Sequence, residues 1–269
     1  MTSSGDGPFT AVSTEVPLER APLVRVLCQI QWPEQTLLTT SFSQISDEIG
    51  IALAKDYPTR VVPQGMTVEV DPVSGQVRQQ PLPPSRQWLS TDEHWAIYFA
   101  PTFVTLENRG HYTSRSDMTE RFAFVLAAIE KSAQIPSVLR VGWRYVNRIA
   151  DEADFADISS LVNESVLGAR AIPTPEDVTL AHSFSDSLFS TRENKLSAKW
   201  GFLPPDLSYD QNIQPVRTPS WFLDLDAFRD ARILFDLAEL QSVINELASF
   251  AYDFFRWAVT EKFIERFGG

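Results

Sequence analysis

The stretch VLRVGWRYVNRI, residues 138–149, lies at the midpoint of the 269-residue chain and alternates with a period of two. Arg140, Arg144 and Arg148 share one phase of this alternation, and Trp143 belongs to the other phase. Successive side chains of a strand point to opposite faces of a sheet. The pattern therefore predicts a strand whose aromatic face packs under helices and whose arginine face stays free of them.

A second stretch, SWFLDLDAF at 220–228, offers partners for these arginines. Asp224 and Asp226 alternate with leucines, so both carboxylates lie on the polar face of their own predicted strand. Three interpretations stay open. The arginines can form cross-strand ion pairs with the aspartates, they can hold an anionic ligand or an acidic segment of a partner, or they can take part in catalysis.

Composition limits the classes of function. The chain has 35 acidic and 23 basic residues and a formal net charge of -12, which disfavours nucleic acid as the primary partner and leaves protein partners open. The single cysteine, Cys28, excludes an internal disulfide and falls on the apolar phase of a strand, where we expect it to be buried. The sequence shows neither a signal-peptide pattern nor a run of about 20 apolar residues. These features predict a cytoplasmic protein.

The two halves of the chain follow the same order of predicted elements. Each half opens on an alternating strand, continues with a helix and several antiparallel strands, and closes on a long helix. The opening strands align in phase, since Arg25 matches Arg140 and Cys28 matches Trp143. Internal repetition of this kind fixes an architecture.

The predicted fold is therefore α+β, a tandem duplicated β-α-β-β-β-α unit that forms a curved antiparallel sheet with long helices on one face. The segments are a flexible lead-in at 1–20, a first repeat at 21–135 and a second repeat at 136–269.

Turn and capping residues predict the limits of several elements. Pro101 is expected to bend one long strand at 94–109, and Asp117 with Glu120 has the spacing of a helix cap. The other expectations are a hairpin within 67–80, one helix at 154–168, and one closing helix at 237–267 that is capped by Asp236 and Glu239.

The loop ENRGHYTSRSD, residues 107–117, adds further polar side chains beside a strand, where binding sites are often found. The candidate binding residues are Arg140, Arg144, Tyr145, Asn147, Arg148, Glu107, Arg109 and Tyr112. The three histidines have no metal-ligand spacing, and no glycine-rich phosphate loop occurs. We therefore predict no catalytic residue, no metal and no cofactor.

Several segments resemble, in this order, a sporadically distributed prokaryotic protein family of unknown function. The resemblance covers the chain from about residue 20 onward, and its most specific element is the run Gly142-x-Arg144-Tyr145-x-Asn147. The segments are PLVRVLCQIQWPE (22–34), WAIYFAPTFVTLEN (95–108), LRVGWRYVNRI (139–149), FLDLDAF (222–228) and DFFRWAVTEKFIERFG (253–268). A patchy distribution implies accessory genes such as defence or toxin–antitoxin systems. The resemblance carries over no catalytic residue.

The leading hypothesis is a non-enzymatic binding protein of such a system, which holds a protein partner or an anionic ligand. One alternative is an enzyme that acts on a nucleotide or nucleic acid, with a site built from Arg144, Tyr145, Asn147 and the 107–117 loop and with a metal on the two aspartates. Another alternative is a structural component that self-assembles through open sheet edges.

Overall fold

One nine-stranded sheet, in which every neighbouring pair of strands is antiparallel, dominates the fold. The computed structural model describes residues 7–10, 13–63, 66–70, 77–81 and 83–268, and for 66–70 and 77–81 it gives the backbone alone. The strands are β1 Leu23–Gln31, β2 Thr59–Val61, β3 Met66–Val70, β4 Val77–Pro81, β5 Arg86–Leu89, β6 Trp95–Ala100, β7 Phe103–Asn108, β8 Ser137–Ile149, β9 Ser183–Ser190, β10 Lys195–Leu203 and β11 Ser220–Leu234.

The strand order is β2-β5-β6-β7-β1-β8-β11-β10-β9, and β3 and β4 form a separate antiparallel pair. That pair matches the hairpin expected within 67–80, whose Asp-Pro and Ser-Gly residues lie outside the described residues. The strands that open the two halves, β1 and β8, are neighbours at the centre of the sheet. Outward from this pair come β7, β6, β5 and β2 on one side and β11, β10 and β9 on the other.

Helices pack on the apolar face of the sheet. Their bounds are α1 Thr36–Thr40, α2 Phe42–Leu53, α3 Arg115–Ala133, α4 Glu152–Ala156, α5 Ile158–Leu161, α6 Leu237–Ala258 and α7 Glu261–Gly268, with 3-10 turns at Glu164–Val166 and Gly168–Ala171. The helix α6 packs on β8 and β11 and against α3, which in turn packs against α2. Cys28, Trp143 and Tyr145 are buried beneath these helices, as the alternation predicts.

The segment 154–168 does not form the single helix that we expected. It is divided among α4, α5 and the first 3-10 turn, and the side chains of Asp151 and Asn163 cap α4 and the 3-10 turn. Asn163 accepts a hydrogen bond from the backbone N–H of Ser165. Val162 adopts an extended conformation and forms an isolated bridge with Val259.

The same bridge ends the closing helix early. Val259 is extended, with φ -110° and ψ 149°, so the expected helix at 237–267 becomes α6 and α7. Thr260 fixes the break, since its backbone N–H and its hydroxyl both donate to the carbonyl of Leu161. The expected cap at the start of α6 is confirmed, because Asp236 accepts from the backbone N–H of Glu239 at 2.8 Å.

Two other local predictions were wrong. Pro101 does not bend one strand. It forms with Thr102 the turn between β6 and β7, which pair as a hairpin with Ala100 opposite Phe103. The helix α3 begins one turn earlier than its expected cap, because the hydroxyl of Ser114 accepts from the backbone N–H of Asp117.

The described residues of the N-terminal segment lie along α6 and α7. The backbone N–H of Ser13 donates to Asp253 at 2.7 Å, and that of Val16 donates to the hydroxyl of Tyr252 at 2.8 Å. The flexibility expected for residues 1–20 stays a prediction.

Candidate functional site

The strand β8 presents Arg140, Arg144 and Arg148 on the face of the sheet opposite the packed helices, which we call the polar face. Arg144 lies opposite Leu27 of β1 and opposite Asp226 of β11. The sequence alternation predicted the direction of the arginines, and it offered the aspartates of β11 as their partners in one of the three interpretations.

Cross-strand ion pairs, the first of the three interpretations, are confirmed. Arg144 donates from Nε to Asp224 Oδ1 at 2.7 Å and from Nη2 to Asp224 Oδ2 at 2.6 Å, a bidentate arrangement. Arg140 contacts Asp226 at 3.1 Å and Asp230 at 3.3 Å. Its guanidinium also lies over the ring of Phe228, 3.9 Å from the ring centroid.

A loop at 204–219, between β10 and β11, crosses the polar face and supplies another carboxylate. Asp210 Oδ2 lies 2.8 Å from Arg144 Nη2 and 3.9 Å from Arg25 Nη1. The neighbouring Tyr209 stacks on Phe222 of β11, with ring centroids 4.1 Å apart. Sequence reasoning missed this loop, because no local pattern shows which strand a loop will cross.

Arg148 has a different environment from the other two arginines. It is buried, and it donates to the hydroxyl of Ser220 at 3.0 Å, the carbonyl of Gln214 at 2.8 Å and the carbonyl of Leu207 at 3.2 Å. Its guanidinium forms no ion pair with any described carboxylate. Burial lowers the pKa of Arg148. This residue therefore anchors the loop to the sheet.

Hydrogen bonds at the centre of the polar face favour the charged forms of Arg144 and Asp210, whereas burial opposes ionisation of Asp226. Burial opposes the charged form of Arg144, but hydrogen bonds to Asp224 and Asp210 outweigh it and raise the pKa of Arg144. Partial burial also opposes ionisation of Asp210, yet hydrogen bonds from Asn212 and Arg144 lower its pKa. Burial raises the pKa of Asp226, and nearby Arg140 only partly offsets that effect.

A cavity of about 360 Å³ opens on the polar face beside Arg144. Gly142 forms part of its floor. A Cβ added to Gly142 would meet nothing closer than Asp226 Oδ1, at 3.7 Å, so packing does not require glycine at this position. The wall includes Arg25, Gln29, Tyr98, Arg140, Arg144 and Asn212.

Glu107 and Arg109, both from the segment 107–117 that we predicted to be a loop, join this cluster, although Glu107 lies in β7. Glu107 is buried and accepts from Arg25 Nε at 2.5 Å and from Arg109 Nε at 3.3 Å. Arg109 also donates to the hydroxyl of Tyr98. Arg25 therefore connects Glu107 and Arg109 to the cluster around Arg144. Arg25 was not among the candidate residues.

The other three candidates lie on the opposite face. Tyr145, Asn147 and Tyr112 surround a small cavity of about 60 Å³ under the N-terminal segment. The hydroxyls of Tyr112 and Tyr145 are 3.5 Å apart. Burial raises the pKa of Tyr145 to about 12 and raises that of Tyr112 as well. The structure does not bring these three residues together with Arg144.

The structure also brings together two histidines that are distant in sequence. The rings of His94 and His111, the second of which belongs to the 107–117 segment, stack with centroids 3.6 Å apart. Within the parts of the chain that the structure describes, no three His, Cys, Asp or Glu residues form a group that could hold a metal ion.

No protein-family model matches this sequence, and no curated protein matches it either. Across the described residues, no helix combines the length and the apolar character needed to cross a bilayer.

Proposed function

We propose that this chain is a non-enzymatic binding protein, and that the cavity beside Gly142 on the polar face receives a segment of a protein partner. The observation that carries the proposal is the absence of a side chain at Gly142. Glycine inside a strand is less favourable than alanine by roughly 0.5–1 kcal/mol. No neighbouring atom demands that cost, since an added Cβ would meet nothing within 3.7 Å. We infer that glycine occurs at position 142 because a side chain there would fill the cavity.

The chemistry of the wall suits recognition. Side chains of Arg25, Arg140, Gln29 and Asn212 supply hydrogen-bond donors, and Tyr98 supplies an aromatic surface. A cavity of about 360 Å³ lies within the range of specific ligand sites. The charged groups around it are already paired with one another, an arrangement that favours orientation of a partner over acid–base chemistry.

We also place the protein in the cytoplasm, as a component of a bacterial accessory system of the defence or toxin–antitoxin type. The single cysteine supports the first part, because a reducing compartment needs no disulfides. The resemblance to a sporadically distributed family supports the second part.

For the architecture, we infer a tandem duplication of residues 21–135 and 136–269 that produced one curved sheet. Two observations support it. Apart from the edge strand β2, which has no counterpart, the strand order is mirrored about the β1–β8 pair. Cys28 and Trp143, which the sequence alignment of the halves matches, lie directly opposite each other in that pair, as a local twofold axis requires.

Replacing Gly142 by valine tests the function, because valine favours strands and would fill the floor of the cavity. Ser197→Val is a matched control, since Ser197 lies on the polar face of β10, outside the cavity wall. Tagged wild-type and variant proteins are used to capture partners from a lysate of the source cells.

We expect a protein that is captured by the wild type and by Ser197→Val, and that is lost with Gly142→Val, while the unfolding temperatures of all three proteins stay similar. Capture of the same set of proteins by both variants would refute the proposal. If Gly142→Val loses only a bound small molecule, as seen by native mass spectrometry, then the cavity binds a small ligand and not a protein partner.

A further inference from the structure

Arg144 holds one carboxylate more than its strand pairing requires. The cross-strand partner Asp224 already accepts from both Nε and Nη2, so the bidentate pair is complete within the sheet. Asp210 comes from the loop and shares Nη2 with Asp224. The carboxylate of Asp210 therefore indicates which chemical group binds at this position of the polar face.

Two guanidinium groups define the position. Asp210 Oδ2 is 2.8 Å from Arg144 Nη2 and 3.9 Å from Arg25 Nη1. Both arginines keep another acidic partner, Asp224 for Arg144 and Glu107 for Arg25. Withdrawal of Asp210 would thus leave neither guanidinium unpaired. Another carboxylate can therefore replace that of Asp210 at a low cost in free energy.

The space around Asp210 allows such an exchange. Arg144 borders the 360 Å³ cavity on the β1 side and a second cavity, of about 400 Å³, on the β10 side. Asp210 lies above Arg144 and lines the second cavity, while the adjacent Asn212 lines the first. A ligand can therefore approach the guanidinium from either side of the loop.

The loop does not depend on the Asp210–Arg144 contact for its position. Arg148 binds the carbonyls of Gln214 and Leu207, and Ile213 is buried. The other oxygen of Asp210, Oδ1, accepts from the backbone and side-chain nitrogens of Asn212 at 2.8 and 3.1 Å. These bonds are compatible with release of Oδ2 alone.

We propose that Arg144 and Arg25 form a carboxylate-binding subsite that Asp210 occupies in this structure, and that an acidic side chain of the protein partner takes its place when the partner binds. This inference rests on the proposed function of the polar face and names the chemistry of the partner's contact. Arg144 Nη2 and Arg25 Nη1 converge on a single carboxylate oxygen, so the subsite offers an incoming acidic side chain two positive charges and a charge-assisted hydrogen bond.

Chemical rescue tests the inference with acetate as the probe. The variants are Asp210→Ala, the isosteric Asp210→Asn, and Asp230→Ala as a control. Asp230 pairs with Arg140 and Lys195 at an exposed position, and it contacts neither Arg144 nor Arg25. Thermal unfolding is measured in sodium acetate and in sodium chloride at equal ionic strength, and the arginine Nε–H resonances are followed by NMR.

We expect about 100 mM acetate to raise the unfolding temperature of Asp210→Ala by roughly 2 °C more than that of the wild type or of Asp230→Ala. The Nε–H resonance of Arg144 should shift with acetate in both Asp210 variants and stay unchanged in the other two proteins. These results would support the subsite.

Equal responses in all proteins, or no response in either Asp210 variant, would overturn it. A response to inorganic phosphate without one to acetate would overturn the carboxylate assignment. None of these results bears on Gly142→Val. A loss of partner capture with that variant, together with no acetate response, would leave the binding function standing and reject only the carboxylate subsite.

Discussion

Replacing Arg144 by methionine leaves the carboxylate of Asp224 without its bidentate partner. The Asp224 side chain is 4% exposed and that of Arg144 is 20% exposed, so the pair is largely shielded from water. Removal of one member of a buried pair costs about 3–5 kcal/mol, because the other charge stays buried. The remaining exposure of Arg144 places our expectation at the lower end, about 3 kcal/mol of the free energy of unfolding.

A double variant separates the charge from the packing. With Arg144→Met and Asp224→Leu together, no unpaired charge is left at this pair, and we expect the stability to return to within about 1 kcal/mol of the wild type. The assay is urea unfolding at pH 7, followed by tryptophan fluorescence. A loss below about 1 kcal/mol for Arg144→Met, the range of exposed ion pairs, would refute the reasoning, as would a double variant no more stable than the single one.

Two further predictions follow from Asp226 and from the glycines. Burial raises the pKa of Asp226 above 3.8, so ionisation of this group weakens the fold as the pH rises from 3.8 through the folded-state value. The stability of Asp226→Asn relative to the wild type should therefore increase as the pH rises over that interval. Urea unfolding at a series of pH values measures this difference, and a relative gain as the pH falls would contradict the prediction. Gly201→Ala should cost about 3 kcal/mol or more, because its Cβ would lie 2.0 Å from the carbonyl oxygen of Ser183. Gly142→Ala should stay within about 1 kcal/mol of the wild type in the same assay, and similar losses for the two variants would argue against the close approach of Ser183 to Gly201.

The strands at the centre of the sheet could be predicted because one face of each is buried. In β1 and β8 the alternation is regular, and it placed Cys28 and Trp143 in the core and the arginines on the polar face. Alternation depends only on the pleat of a strand, which is a local property. The phase of the aspartates in β11 predicted that both carboxylates share one face, and their pairing with the arginines of β8 was one of three open interpretations.

Elements that depend on distant contacts could not be predicted in this way. No residue near Val259 in sequence marks the end of α6. The helix ends there because Val259 forms a bridge with Val162 and Thr260 contacts Leu161, and both partners lie about 100 residues earlier in the chain. The turn at Pro101 was missed for another reason. Apolar residues continue on both sides of it, so two paired strands look like one.

The candidate site was predicted in part. Periodicity found Arg140, Arg144 and their acidic partners, since these contacts lie within the sheet. It grouped Tyr145 with Arg144 although adjacent residues of a strand must point to opposite faces. It also missed Asp210, because the path of a loop across a sheet is decided by anchors such as Arg148 that act only in the folded chain.

The central position of β1 has a consequence for synthesis of the protein. One neighbour of β1 is β7, from the same half, but the other is β8, which begins about 100 residues after β1 ends. A ribosome adds about 5–20 residues per second, so a nascent chain carries one unpaired side of β1 for roughly 5–20 s. During that interval its backbone is open to pairing with a neighbouring nascent chain. A transcript truncated before β8 would leave that side permanently unprotected, and its product would aggregate or be degraded.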